Sequence, residues 1–521
     1  MEANPYDVVP YKSHPFHETR PQHLYAMASL YGLDAVDYTK ARVLELGCAS
    51  GGNITPLAAQ YPAAFFVGVD YSKKQIDEGL ADVKHLGLSN IELKGISILD
   101  IDQSFGEFDY IIVHGVYSWV PNEVRYKILD ICQNNLSANG VAFISYNTKP
   151  GWNSVLSFRE IMRQHTRQFS DPITKSHQVR ELANFLKRAA PDQNSSWAKL
   201  LETEINNPGF QEDSYIFHEY LEDDNVPYYF TEFMQDASRY QLQHLLDLDC
   251  FLYSPYLLNS EASAVIREIP DKIEAEQYID YITSRRFRKS LLCHADRQVD
   301  TSITTQYLDR FKFYRSLKLE TPVSKEQLKS TEPVNFIGGK IKIASSEPAI
   351  KTAFEILTRP GNPIEWRLLL EKVKKSLPEM SMPEIETSMS HIQFDQLIAL
   401  NVLELTLRED PVQPKVSKKP CASPYARHQA VKTNILTNLE HQLIALDTLG
   451  CILMPLVDGT HSIDELKKLF SQMIRENESD QFEYFVDDQL QVINKKDILA
   501  NIGPLTENYL ESMAAQNFLQ S

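Results

Sequence analysis

The chain has 521 residues, a formal charge of −18 and 43% hydrophobic content. A chain of this size holds roughly three domains with substantial cores, and so acidic a balance excludes a general nucleic-acid binder, which needs a basic footprint. Six cysteines with no Cys-x-x-Cys pair among them read as reduced thiols of a cytoplasmic protein, offering neither a disulfide framework nor a metal site. The first residues show no basic-then-apolar signal sequence, and no apolar run approaches the ~20 residues of a membrane span.

In chain order, the first stretch is an aromatic arm with Tyr6, Tyr11, His14, Phe16 and His17, held extended by Pro5, Pro10, Pro15 and Pro21. It is expected either to cover a ligand as a lid or to pack on the sheet edge. A helical pattern follows through Leu24, Met27, Leu30 and Leu33. Next comes the stretch that organises the chain, Arg42-Val43-Leu44-Glu45-Leu46-Gly47-Cys48-Ala49-Ser50-Gly51-Gly52-Asn53. An apolar run ending in an acid, a small-residue loop and a helix start make the opening of a nucleotide-binding βαβ unit. Phe65-Phe66-Val67-Gly68-Val69-Asp70 is a second buried strand, and an acid at its end suits a hydrogen-bonded grip on ribose hydroxyls.

The loop is neither a dinucleotide fingerprint nor a P-loop, since the glycines are spaced differently and no Gly-Lys-Ser/Thr follows. Its form, Glu-x-Gly-x-x-x-Gly, resembles the first motif of the class I S-adenosylmethionine (SAM) methyltransferases, whose usual version has a glycine where Ala49 stands. That resemblance implies SAM as cofactor, held by Glu45, Gly47, Cys48, Gly51, Asn53, Asp70 and Tyr71. Ser72 is the expected cap of a helix running to Leu86-Gly87. Past the third strand, Ile91 to Ser97, the methyltransferase pattern places the adenine grip on Ser97 and Ile98, although Ser97 stands where that pattern usually has an acid.

Phe108-Asp109-Tyr110-Ile111-Ile112-Val113 reads as a fully buried fourth strand, whose carboxyl end carries His114, Tyr117 and Trp119. In an open α/β sheet that edge is where ligands sit. A helix through Val124, Ile128 and Cys132 leads to an expected turn at Asn139-Gly140 and a fifth strand over 141–146. The βα repeats therefore predict an α/β fold with a Rossmann-like, doubly wound, mostly parallel sheet. Residues 154–214 read as a helical insertion, and 226–254 as the return to the sheet, bringing His218, Tyr220 and Tyr228 beside the cleft.

Here the likeness becomes specific. The glycine loop, His114-Gly115-Val116-Tyr117-Ser118-Trp119-Val120-Pro121, Ser145-Tyr146-Asn147-Thr148 with Pro150-Gly151-Trp152, His218-Glu219-Tyr220-Leu221 and the run from Ser284 to Cys293 resemble bacterial methyltransferases that carry a methyltransferase regulatory domain. That group includes rickettsial protein-lysine methyltransferases acting on outer-membrane proteins. The resemblance implies a protein lysine as acceptor; the candidates for its aromatic channel are Tyr117, Trp119, Tyr146, Trp152, Tyr220 and Tyr228, with His114 or His218 as proton acceptor, Tyr117, Trp119, His218 and Tyr220 as the catalytic set and His114 beside the cofactor. A lysine acceptor must lose a proton before it attacks, and aromatic walls stabilise the methylated cation. The Asp/Asn-Pro-Pro-Tyr motif of methyltransferases acting on nucleic-acid bases or glutamine is absent after the fourth strand.

Domain limits are expected at 1–153 with 215–255 for SAM binding, 154–214 for the insertion, 256–330 for a helical regulatory region, 331–408 and 429–521 for two winged-helix-like modules, and 409–428 for a proline-rich linker. The basic run Arg285, Arg286, Arg288 and Lys289 reads as a solvated helix face. Residues 434–456 and 463–470 read as helices around a turn, with Ser462 and Glu465 as a capping box. The acidic charge makes these modules suited to protein contacts or homodimerisation and not to DNA. Two competing functions remain at this level: a small-molecule methyltransferase, and a non-catalytic SAM-binding scaffold.

Overall fold

The computed structural model describes residues 9–10, 13–300, 302–315, 317–338, 341–358, 363–400, 403–407, 416–486 and 489–520. Pro5, Tyr6, Tyr11, Gly339, Lys340 and the expected linker positions 409–415 fall outside them. The described residues of Met1–His23, Asp37–Ile101 and Asp410–Ser521 form one compact unit, and those of Leu24–Val36 and Asp102–Glu409 a second.

The strands are β1 (Arg42–Leu46), β2 (Phe65–Asp70), β3 (Ile91–Gly95), β4 (Phe108–Val113), β5 (Leu136–Asn147), β6 (Leu242–Asp247) and β7 (Phe287–His294). They belong to a seven-stranded sheet in the order β3-β2-β1-β4-β5-β7-β6. Strands β1 to β3 pair in parallel, as do β4 and β5, whereas β7 is antiparallel to both β5 and β6. This is the Rossmann-like, mostly parallel methyltransferase sheet. Parallel strands buried on both faces read as near-continuous apolar runs, and β4 is that kind of segment, with Ile111, Ile112 and Val113 fully buried.

In the first unit, Ser72 caps the helix Lys73–Leu86 by accepting from Gln75 N (3.2 Å), and Gly87 ends it at a φ of 65°. The β3–β2–β1 side is packed through glycines. A Cβ on Gly79 would meet the Ser50 carbonyl at 2.2 Å, and one on Gly68 would meet Cys48 Sγ at 2.7 Å. The C-terminal part of this unit has its own apolar core around Leu449, Leu453, Leu466, Phe470 and Phe518. The capping box at the head of helix Ile463–Glu476 forms as expected, with Ser462 N donating to Glu465 Oε2 at 2.7 Å.

Three local expectations are corrected. Asn139-Gly140 is not a turn: β5 already begins at Leu136, and a Cβ on Gly140 would lie 2.7 Å from Leu136 Cγ, so this glycine serves close packing within a strand. Residues 434–456 are not one helix. A hairpin of Ile435–Thr437 and Leu443–Ala445 precedes the helix Thr448–Leu453, because the Asn438 side chain accepts from Glu440 N (3.0 Å) and Gln442 N (2.9 Å) and folds the chain back. The span 256–330 is not all helical. After helices Ser260–Glu268 and Lys272–Thr283 it supplies β7, an interior strand of the sheet.

The basic run of that span is corrected as well. Arg285 and Arg288 side chains have no exposure. Arg288 donates to Asp280 (2.8 and 2.9 Å), Glu276 and Asp247, while Arg285 reaches Asp247 (3.3 Å) and Asp249. The acids lie on β6, just past its end and on helix Lys272–Thr283, so a reading of adjacent residues could not find them. Among the described residues, no helix is long and apolar enough to cross a membrane.

Candidate functional site

The first unit holds the glycine loop. Gly47, Ala49 and Gly51 take φ values of 79°, 50° and 78°, so the usual glycine of this motif is replaced by an alanine that still adopts the left-handed turn. The loop hangs from the end of β2: Gly47 N and Cys48 N donate to the Val69 carbonyl (2.8 and 3.1 Å), and Ala49 N to Asp70 Oδ2 (2.8 Å). Asp70 Oδ1 accepts from Ser72 N at 2.8 Å. Tyr71 beside it is 71% exposed.

Asn53 is the knot of this loop. Its Oδ1 accepts from Phe16 N (2.9 Å), Thr19 Oγ1 (3.2 Å) and His441 Nε2 (2.7 Å), and its Nδ2 donates to Glu45 Oε1 (2.7 Å) and Thr19 Oγ1 (2.9 Å). Glu45 is buried, and its second oxygen has no partner. Burial, reinforced by the Asp70 charge, pushes its carboxyl up to about 8, against the lowering effect of Asn53. The arm packs on this loop, with Ser13 Oγ accepting from Gly52 N at 2.7 Å. Burial raises the Cys48 thiol well above its ordinary value, so it is a packing residue here. Ser97 caps the short turn Ile98–Asp100 by accepting from Leu99 N (3.2 Å), and Ser97 and Ile98 stay partly exposed.

The second unit holds the aromatic candidates. His114 Nδ1 lies 3.0 Å from Ser145 Oγ, which also accepts from Gly115 N at 2.9 Å. Tyr117 is fully buried, ringed by Tyr228 (5.6 Å), Phe233 (5.4 Å) and Tyr146 (6.2 Å), and burial holds its phenol far above the ordinary range. Trp119 stands edge-on to Trp152 at 6.4 Å. The Arg159 guanidinium lies 5.3 Å from the Trp119 ring and that of Arg286 5.5 Å from Trp152. The rings fall into two groups: Tyr117 with Tyr146, Tyr228 and Phe233, and Trp119 with Trp152, which belongs to the core of the helical insertion.

His218 and Tyr220 are engaged differently. His218 Nδ1 pairs with Glu222 at 2.8 Å, and the Tyr220 hydroxyl donates to Glu204 at 2.9 Å inside the core of the helical insertion. Between them the half-buried Glu219 is pushed up to about 7 by burial and by the neighbouring Glu204, while Arg159 and Arg286 oppose that shift.

Sequence reasoning missed a set of polar atoms beside the aromatic rings. Tyr117 Oη, Asn147 Nδ2, Trp152 Nε1 and both amide atoms of Asn225 are buried without a partner. Asn147 and Asn225 are brought to the same place by Ser118, whose Oγ accepts from Asn147 N (2.9 Å) and whose carbonyl accepts from Val226 N (2.8 Å). Asn147 stood in a motif already singled out, but its backbone ties to Ser118 and Tyr228 are tertiary. Buried polar atoms are ordinarily paired, so such a cluster marks a place for a polar guest or water.

A parallel sheet with this glycine loop and an acid at the end of its second strand is a SAM-dependent methyltransferase. Family models agree along the chain: a methyltransferase domain over 38–207, a predicted methyltransferase regulatory domain over 212–294, and the PKMT C-terminal winged helix domain over 418–518. Protein RP789 of Rickettsia prowazekii (strain Madrid E) is 37% identical over 467 residues, spanning 88% of this chain and 84% of its own. Protein RP028 of the same strain is 40% identical over 234 residues, 45% of this chain and 94% of its own. The structure of PKMT2 from Rickettsia typhi in complex with AdoHcy matches with a TM-score of 0.77 at 30% identity, covering 98% of this chain and 100% of that one. The chain belongs to this family of bacterial SAM-dependent methyltransferases with a regulatory domain and a PKMT winged helix.

Proposed function

We propose that the enzyme methylates lysine side chains of a bacterial protein, with an outer-membrane protein as the acceptor that the family resemblance implies. Support comes from the likeness to the rickettsial protein lysine methyltransferase PKMT2. The observation that carries the reading is that Tyr117 Oη, Asn147 Nδ2, Trp152 Nε1 and both amide atoms of Asn225 are buried without a partner on the segments that bear the aromatic side chains. An aliphatic amine needs such a lining: aromatic walls around its stem and product cation, and acceptor oxygens such as Tyr117 Oη and Asn225 Oδ1 for its N–H groups.

SAM supplies a methyl group made electrophilic by its sulfonium. The first unit sets two acids at the glycine loop: Glu45 keeps a buried oxygen without a partner, and Asp70 ends β2 with its Oδ2 accepting from Ala49 N. In this reading Gly47, Cys48, Gly51 and Asn53 shape the loop, and Tyr71, Ser97 and Ile98 lie along the adenosine. The acceptor ammonium must shed a proton, and Glu219, poised at about 7, and the His218–Glu222 pair are the groups suited to receive it. The winged-helix modules serve protein contacts or a homodimer, consistent with a net charge of −18.

The test is transfer of tritiated methyl from SAM into a cell-envelope extract, with Asp70→Ala as control. Label is expected in protein bands and, after hydrolysis, in methyl-lysine. Label only in extractable small molecules would mean a small-molecule methyltransferase, and no transfer at all would leave a SAM-binding scaffold. Asp70→Ala is expected to weaken SAM binding by roughly 10–100-fold, the value of one charge-assisted hydrogen bond of ~1.5–3 kcal/mol.

A further inference from the structure

The hairpin of the C-terminal module ends in a tip, residues 438–442, that sits against the cofactor loop within the same compact unit. Three contacts hold it there. His441 Nε2 donates to Asn53 Oδ1 at 2.7 Å, His17 Nδ1 donates to the Glu440 carbonyl at 2.7 Å, and Gln60 Nε2 donates to the Leu439 carbonyl at 3.2 Å. These partners come from the loop, from the arm and from the helix Thr55–Gln60 that leads out of the loop. His441 itself is buried, at a φ of 62° in the tight turn.

The first of these contacts has a chemical consequence. An asparagine amide has two faces of opposite character, one accepting and one donating. Donors converge on Asn53 Oδ1 from Phe16, Thr19 and His441, so the oxygen must face them and the amino group must face Glu45. With the amide turned the other way, an oxygen would confront the Glu45 carboxyl. As it stands, one Glu45 oxygen is satisfied and the other is left free.

We propose that His441 is a positioning residue for the cofactor: through Asn53 it fixes the amide that orients Glu45, so the C-terminal module sets the SAM-binding loop. This rests on the reading of the glycine loop as the SAM site. It gives the C-terminal module a part in catalysis that its own fold does not announce, since nothing within the module itself is cofactor-binding chemistry. It also makes the coupling reciprocal: whatever binds the loop must in turn steady the tip.

The decisive measurement is calorimetric titration of AdoHcy into the full-length protein, compared across His441→Asn, Gln60→Ala and Asp70→Ala. Asparagine tolerates the left-handed turn but is too short to reach Asn53. His441→Asn is expected to weaken AdoHcy about 10-fold and to raise KM for SAM with little change in KM for the acceptor. His441→Gln, which restores a donor, should recover part of the loss, and Gln60→Ala, which removes a tip contact without touching the amide, should bind within about 2-fold of the parent. Hydrogen exchange on the unmutated protein gives a check that no folding defect can obscure: saturating AdoHcy should slow exchange over 438–442. Unchanged affinity in His441→Asn while Asp70→Ala binds weakly, or no added protection at the tip, overturns the inference and leaves the loop reading standing. If Asp70→Ala also binds normally, the loop reading falls and this inference with it.

Discussion

Two buried acids, Glu45 on β1 and Asp247 on β6, are treated in opposite ways. Asp247 is saturated: it accepts from Arg288, from Arg285 at 3.3 Å and from Ser290 Oγ at 2.7 Å, and the arginines hold its carboxyl well below the usual carboxylate range. Glu45 has a single neutral donor, Asn53, and one bare oxygen, and its carboxyl is pushed up to about 8. The contrast separates structural from functional burial. A charge whose partners are all supplied by the chain holds strands together, while a charge left short of partners is kept for something the chain does not contain.

The largest effect should come from breaking the saturated acid. Asp247→Ala removes the acid between Arg285 and Arg288, leaving them Asp249, Asp280 and Glu276, and breaking a buried ion pair by deleting one partner costs about 3–5 kcal/mol. Chemical denaturation followed by tryptophan fluorescence should show a loss of that order. Because the pKa is depressed, the contribution of Asp247 is present at neutral pH and is lost only as pH falls through its low folded value. Replacing the charges together, Asp247→Leu with Arg288→Met, should recover part of the loss. A single substitution that cost under 1 kcal/mol would show that the network is not holding β6 to β7 and would erase the contrast.

These two acids also show what could be read from residues alone. The loop that surrounds Glu45 was legible because its constraints are local: left-handed positions at Gly47, Ala49 and Gly51, a strand before and a helix after, and Asp70 at the end of the next strand. The sheet itself was legible from apolar runs at βα spacing. The Asp247 network was not, because Arg285, Arg286, Arg288 and Lys289 look like a solvated helix face until β7 is placed between β5 and β6. The same holds for Asn147 and Asn225, which meet through Ser118, and for His441, which meets Asn53 across most of the sequence. Chemistry carried by one turn of chain is visible in sequence, whereas chemistry assembled by tertiary contacts is not.

The unsaturated acid gives a pH signature of intermediate size. With a folded value of about 8 against an ordinary 4.5, Glu45 binds its proton more tightly in the native state. Stability contributed by this group is therefore full below the unfolded value and declines as pH rises toward about 8. The decline is of order 5 kcal/mol at most if no ligand is bound. Glu45→Gln, neutral at every pH, should flatten the fall in melting temperature between about pH 5 and pH 8. The parent protein should regain stability at pH 8 when SAM is added, and the variant should regain less. Equal slopes in parent and variant would mean that burial does not raise the Glu45 carboxyl in the native state.

The smallest effect tests whether the loop around Glu45 is tuned for binding or for stability. Ala49 occupies a φ of 50°, a conformation that costs an L-residue roughly 1–2 kcal/mol. Against this, alanine restricts the unfolded chain and so favours folding by ~0.4–1 kcal/mol relative to glycine. Ala49→Gly should thus stabilise the protein by about 0.5–1 kcal/mol, read as a higher urea midpoint with an unchanged slope. Gly51→Ala should do the reverse, because its φ is 78° and the new Cβ would lie 3.0 Å from Thr55 Oγ1 and 3.2 Å from Leu93. The backbone N–H of Ala49 is what Asp70 Oδ2 accepts. If Ala49→Gly stabilises the fold but weakens SAM, the alanine is retained to stiffen the turn that presents Asp70, and the strain at this position belongs to the site. If SAM affinity is unchanged, the strain is merely tolerated, and the tuning of this corner rests on Glu45 and Asn53.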